Sequence, residues 1–200
     1  MDEIALVPGR RTLDPQLADT SWEVGGLRRE IPIIASAMDG VVDVGMAVRL
    51  SQMGALGVLN LEGIQTRYHD PAPILDQIAQ VDVNGFVTLM QRLYAEPVKP
   101  ELIRQRIQEI KQQGGIAAVS ATPVGASQFG MAVAEAGADL FFIQATVVST
   151  AHLSPDAVTP LDLAQFCQEM PIPVILGNCV TYDVTLDLMR AGAAAVLVGI

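Results

Sequence analysis

The sequence predicts a parallel α/β fold, and within that class a (β/α)8 barrel that is incomplete, with about six βα units. Three observations carry this. Short, nearly continuous apolar runs alternate with longer stretches of helical spacing, as do strands buried on both faces and the helices that cross between them. No G-x-G-x-x-G string follows any of these runs, so the usual signature of an open dinucleotide-binding sheet is missing. Small or polar residues stand at the C-terminal ends of the runs instead: Ser36, Asp39, Asn60, Thr122, Gln144, Thr146, Asn178 and Thr181. A barrel builds its active face from those ends.

The strand candidates, in order, are residues 31–37, 55–60, 116–121, 140–145, 173–178 and 195–200. Residues 44–53 follow the first, with Val44, Ala47, Val48 and Leu50 at helical spacing. Residues 127–136 form the next crossover helix, after the turn signals Pro123 and Gly125, and end at Gly137. Residues 161–170 are stopped by Pro171, and residues 184–191 end at Gly192. Both glycines sit where a helix C-terminus favours positive φ. "AEAGADLFFIQ" and "MRAGAAAVLVG" share one layout: helix end, Ala-Gly, a small residue, an apolar strand. Residues 63–115 are long for one βα unit and predict an elaborated connection. It holds helices over 74–81, 86–94 and 101–113, the second with an alternative strand reading over 86–90.

Composition bounds the function. The 200 residues carry 12 Lys+Arg against 22 Asp+Glu, a net charge of −10, and half are apolar. That excludes a disordered chain and argues against nucleic acid, which needs a basic footprint. Met1-Asp2-Glu3 starts no basic leader, and the longest near-apolar run, 191–200, is about half a membrane helix. The expectation is one soluble, cytoplasmic domain over residues 1–200, with neither nucleic acid nor membrane as partner. Cys167 and Cys179 make no disulfide framework and no zinc spacing.

Candidate chemistry is sparse. His69 and His152 read as solvated loop residues, and Cys167 as a structural thiol in a helix. Cys179 follows Asn178 at a strand end and faces the active side, with no base paired to it. Asp39 suits either a ribose hydroxyl or the cap of the following helix. Asn178 suits either a polar ligand or a loop bridge. Ser120, Thr122, Gln144 and Thr146 add neutral donors and acceptors, which fit a polar organic ligand better than a metal. Arg104, Arg106, Glu109 and Lys111 read as the solvated face of helix 101–113.

Particular strings go further. "DEIALVPG" (2–9) is followed by "REIPIIASAMDGVVDVGMA" (29–47), "GALGVLN" (54–60), "VILGNCVT" (174–181) and "AGAAAVLVGI" (191–200). In this order and spacing they resemble the IMP dehydrogenase / GMP reductase family of (β/α)8 barrels, most of all the bacterial IMP dehydrogenase-related proteins without a regulatory (CBS) nucleotide-binding insert. The likeness implies oxidation of IMP to XMP with NAD through a Cys adduct at purine C2, or, in the GMP reductase direction, conversion of GMP to IMP with NADPH. It assigns Ser36 and Met38 to nucleotide contact, Gly177 and Asn178 to the border of purine and nicotinamide, and Gly199 to the opening of the catalytic loop. The cofactor side, NAD or NADP, falls on Gln144, Ala145 and Thr146. Gln144 stands where the dehydrogenases usually carry Asp, and Leu197 where many members carry Arg. The likeness places the nucleophilic Cys beyond Ile200, together with the potassium-binding carbonyls, the phosphate-binding strand and the Arg-Tyr flap. The expectation is therefore an N-terminal portion, inactive alone, with no catalytic residue, metal or potassium site of its own. The whole enzyme would be a homotetramer or octamer. At 63–115 the connection is too short for a regulatory domain of about 100 residues and stands in its place. A non-catalytic partner subunit, or an unrelated barrel for a flavin or phosphorylated ligand, are the other readings.

Overall fold

The computed structural model describes residues 13–146, 148 and 161–199; residues 2–9, His152 and Ile200 lie outside them. A short 3-10 turn, Pro15–Leu17, leads into an antiparallel hairpin of β1 (Trp22–Val24) and β2 (Leu27–Arg29). The sequence reading does not anticipate this hairpin. Gly25 and Gly26 turn it with φ of 56° and 81°, the pair of positive values that a two-residue hairpin loop demands. Gly25 also lies against the Pro173 ring, which a Cβ would approach to 2.4 Å. The Trp22 indole N–H donates to the Ile31 carbonyl at 2.7 Å, and buried Val24 packs with Trp22 and Leu27 against the inner face of the sheet.

The main body follows in order as β3 (Ile34–Ala35), α1 (Val44–Met53), β4 (Leu56–Asn60), α2 (Ile64–Arg67), α3 (Ala72–Gln80), α4 (Phe86–Tyr94) and α5 (Pro100–Gln112). It continues as β5 (Ala118–Ala121), α6 (Pro123–Glu135), β6 (Leu140–Gln144), α7 (Leu163–Glu169), β7 (Val174–Cys179), α8 (Tyr182–Arg190) and β8 (Ala195–Val198). Strands β3 to β8 form one sheet in sequential order, every pair parallel. Sequential order separates the two parallel architectures: a doubly wound sheet reverses its order at a switch point, and a barrel does not. The six strands make an open, partial barrel.

Alternation along the strands splits the core into two layers. Leu56, Val58, Ala118, Leu140, Phe142 and Ile175 face inward and pack with Val24 of the hairpin. Leu59, Val119, Phe141, Ile143, Val174 and Leu176 face outward and are covered by the helices. Continuing the inward set by two residues brings Asn60, Ser120 and Gln144 to the C-terminal rim. The hydrophobic layers thus decide which side chains reach the site.

Several boundaries differ from the sequence reading, each for a physical reason. Only two residues of 31–37 pair: Pro32 brings no N–H to a ladder, and from Ser36 the backbone bonds locally, Met38 to Ser36. Helix α6 starts at Pro123, four residues before the expected 127. The turn signals are its first turn: Thr122 Oγ1 accepts from the Gly125 amide at 3.2 Å, and Pro123 occupies N1. Thr181 caps α8, accepting from the Val184 amide, so it serves the helix and does not line a site. Arg106 is not on a solvated face. It is 6% exposed and donates to the carbonyls of Gln65 (3.0 Å), Tyr68 (3.3 Å) and His69 (2.7 Å), and pairs with Glu109.

Candidate functional site

A cleft of about 520 Å³ opens at the C-terminal ends of the strands, within the size range of small-molecule sites. Ser36, Ala37 and Met38 enter it from the β3–α1 loop, and Asn60 and Glu62 from the end of β4. Ser120 and Thr122 come from the end of β5, Gln144, Ala145 and Thr146 from the end of β6, and Asn178 from β7. The structure thus gathers Ser36, Met38, Gln144, Ala145, Thr146 and Asn178 around one cavity. Gly177 is buried behind it as a ladder residue, paired with Gln144 and Leu197. Gly199 is exposed past β8, outside the lining, with φ of 134°.

Neutral groups dominate the walls. The Ser120 hydroxyl donates to Gln144 Oε1 at 3.0 Å, which leaves the Gln144 amide nitrogen as the available donor. Glu62 is the one charged residue of the lining. Its carboxylate accepts from the Thr122 amide and, at 3.0 Å, from the Thr122 hydroxyl. That sets it at the N-terminus of α6, where the helix dipole favours an anion. Asn178 occupies an irregular step: Gly177 pairs with Leu197 and Cys179 with Val198, so β7 spends an extra residue there. A bulge of this kind re-aims a side chain next to a site. The Asn178 backbone is tied to the β6 side, its N–H donating to Ala145 O (3.0 Å) and its carbonyl accepting from Val148 N (2.8 Å). Its side-chain Oδ1 is buried and has no hydrogen-bond partner among the described residues.

Neither cysteine lines the cleft. Cys179 is fully buried, its Sγ 3.1 Å from Thr185 Oγ1 and 3.5 Å from the Leu197 carbonyl, and so does not face the active side. Cys167 lies on α7, and burial pushes its thiol pKa up, away from nucleophilic use at neutral pH. His69 is exposed, and its carbonyl serves Arg106. Asp39 does not cap α1, a task that Asp43 performs by accepting from the Met46 amide at 2.7 Å. Asp39 points the other way and accepts from the Ile64 amide at 2.9 Å and from the Tyr94 hydroxyl. Burial first, and then Asp39, drive the Tyr94 pKa well above the ordinary phenol range, so the hydroxyl remains a donor.

The IMP dehydrogenase / GMP reductase domain profile matches residues 1–200. The chain belongs to this family. Uncharacterized oxidoreductases of Mycobacterium tuberculosis and Mycolicibacterium smegmatis are 35% and 33% identical to it, over all of this chain and 54% of their own. The crystal structure of an IMP dehydrogenase/GMP reductase-like protein from Corynebacterium glutamicum superposes with a TM-score of 0.88 at 30% identity. It covers 99% of this chain and 53% of the other. An inosine-5'-monophosphate dehydrogenase of Methanocaldococcus jannaschii is 39% identical over 59 residues, 30% of this chain. The chain therefore spans about half the length of the curated relatives it matches, and its likeness to a named IMP dehydrogenase is partial.

Of the residues read at strand ends, Ser36, Asn60, Thr122, Gln144, Thr146 and Asn178 line the cleft, and Asp39 and Thr181 do not. The strand-end reading missed Glu62 and Tyr94. Glu62 stands only two residues past a strand end, which is a usable signal. Tyr94 stands 55 residues from Asp39, and no local pattern joins them. Among the described residues, no helix is long and apolar enough to cross a membrane.

Proposed function

We propose that the cleft is the purine-nucleotide pocket of an IMP dehydrogenase-type oxidoreductase, one that oxidises IMP to XMP with NAD in the supply of GMP. The observation that carries this reading is the Asn178 acceptor. A buried carbonyl oxygen without a donor costs about 1–3 kcal/mol, and a ligand N–H removes that cost. A 6-oxopurine offers such a donor at ring N1. Exposed Met38 presents a soft apolar surface for the flat base, and Ser36 and Thr146 offer hydroxyls to a sugar.

The residues present also fit a nicotinamide cofactor. Gln144, held by Ser120, with Ala145 and Thr146, forms a neutral, hydrogen-bonding rim for NAD or NADP. The chemistry that cofactor supplies when bound is acceptance of a hydride from purine C2. The chain's own part is to bind and orient the base. With both cysteines outside the cleft, these 200 residues hold the nucleotide without turning it over, and the covalent step belongs to the whole enzyme. On the same reading, connection 63–115 stands in place of a regulatory nucleotide-binding domain.

Calorimetric titration of the 200-residue chain with IMP, GMP and AMP tests the reading. IMP and GMP carry the N1 proton and are expected to bind at one site. AMP lacks it and is expected to bind at least about tenfold more weakly. Equal binding of AMP, or binding of none, sinks the proposal. Assays with IMP plus NAD and with GMP plus NADPH, run on the whole enzyme, set the direction. Sustained turnover by the 200 residues themselves would overturn their purely binding role.

A further inference from the structure

Helix α4, in the connection between β4 and β5, reaches the β3–α1 loop beside the cleft through one side chain. Tyr94, the last residue of α4, donates its hydroxyl to Asp39 Oδ2. The same oxygen accepts from the Ile64 amide at 2.9 Å, and Asp39 Oδ1 lies 3.5 Å from Asn60 Nδ2. One carboxylate thus joins four pieces of chain: the β3–α1 loop with Ser36 and Met38, the end of β4, the first turn of α2, and α4. The junction is tight enough to need glycine. A Cβ at Gly63 would fall 1.8 Å from Asp39 Oδ1.

Tyr94 is itself held. The Arg67 guanidinium stands over its ring, 5.3 Å from the centroid, and donates to the carbonyls of Glu62, Tyr94 and Glu96. Beyond Ala37, which packs against the inner core, the loop it reaches has little else to hold it. Ser36, Met38, Gly40 and Val41 are exposed, and β3 pairs through two residues. The backbone bonds within the loop are local turns, Met38 to Ser36 and Val41 and Val42 to Met38. Among the described residues, the Asp39 carboxylate makes the side-chain bonds that tie 36–41 to other elements.

We propose that Tyr94 is a positioning residue for the pocket: it holds Asp39, and through Asp39 it holds the loop bearing Ser36 and Met38 in its binding geometry. The proposal rests on the reading of the cleft as a purine-nucleotide pocket. It makes the connection a working part of the site. A hydrogen bond to a carboxylate is about twice as strong as a neutral one, and it is made here by a donor that stays protonated. Ordering the loop in advance spares the ligand that entropy cost on binding.

The test is Tyr94→Phe, which keeps the ring under Arg67 and deletes only the hydroxyl. In the unliganded chain, hydrogen exchange at the amides of 38–42 and at Ile64 is expected to quicken about tenfold, while β5–β7 hold their protection. Affinity for IMP is expected to fall about tenfold in protein that is fully folded by circular dichroism. In an Asp39→Ala background the same change is expected to cost no further affinity, since both act through one bond. Unchanged exchange in the loop overturns the proposal, whatever the nucleotide does. A lowered melting temperature with unchanged IMP affinity also overturns it, because the bond is then structural only. If the unaltered chain binds neither IMP nor GMP, the reading of the cleft fails, and the exchange experiment alone decides the role of Tyr94.

Discussion

Asn178 carries opposing demands in one side chain. Its Oδ1 is buried without a partner, which a folded chain tolerates only where something repays it. Asn178→Ala removes the orphaned acceptor and leaves the backbone bonds to Ala145 and Val148 in place. The loss of packing and the relief of desolvation are each about 1–2 kcal/mol and act in opposite directions. The melting temperature is therefore expected to stay within about 4 °C of the parent, or to rise. Affinity for IMP is expected to fall about tenfold or more. Thermal denaturation and calorimetric titration check both halves, and a destabilised variant with intact binding would show the acceptor to be structural. Residues at this scale were legible in the sequence where the strand period delivers them. Asn60, Ser120 and Gln144 lie two residues beyond inward-facing core positions, so the hydrophobic pattern itself points at them. Asp39 was legible as a residue and not as a contact, because its partner arrives from α4 by tertiary packing.

Helix α5 shows how far an element can be read, and where the reading goes astray. Its buried residues are Leu102, Ile103, Arg106, Ile107 and Ile110, a regular i, i+3, i+4 stripe with an arginine inside it. The period locates the helix to within one residue at each end, yet charge alone assigns Arg106 to water. Position wins because α2 ends in a turn whose carbonyls at Gln65, Tyr68 and His69 have spare acceptor capacity, and the guanidinium fork reaches all three. Arg106→Met fills similar volume but strands those carbonyls and leaves Glu109 without its pair. The expected cost is about 3 kcal/mol, read as a lower urea midpoint with an unchanged slope. A change below about 0.5 kcal/mol would show that water replaces the guanidinium freely. The hairpin β1–β2 was illegible for a different reason. Three-residue strands are too short for a period, and only the Gly25-Gly26 pair marked the turn.

At the scale of the molecule, sequential parallel pairing leaves two outer strand edges. Among the described residues β3 pairs only with β4, and β8 only with β7. Val198 is 71% exposed and Ile33 58%, so each edge combines unpaired backbone with apolar side chains. An open edge of this kind templates pairing with another chain. The net charge of −10 opposes it, because like-charged copies repel over a distance that salt shortens from about 10 Å at 0.1 M to about 3 Å at 1 M. The two effects make a signed prediction for the 200-residue chain. Self-association measured by light scattering is expected to grow with protein concentration and also with salt, the reverse of an association held by ion pairs. Val198→Lys places a charge on the β8 edge and is expected to suppress association at every salt concentration while leaving the melting temperature within about 2 °C, since the side chain is not in the core. If association persists unchanged in that variant, the surface responsible lies elsewhere, and the exposed Val83, Phe86 and Val87 around the start of α4 become the place to substitute next.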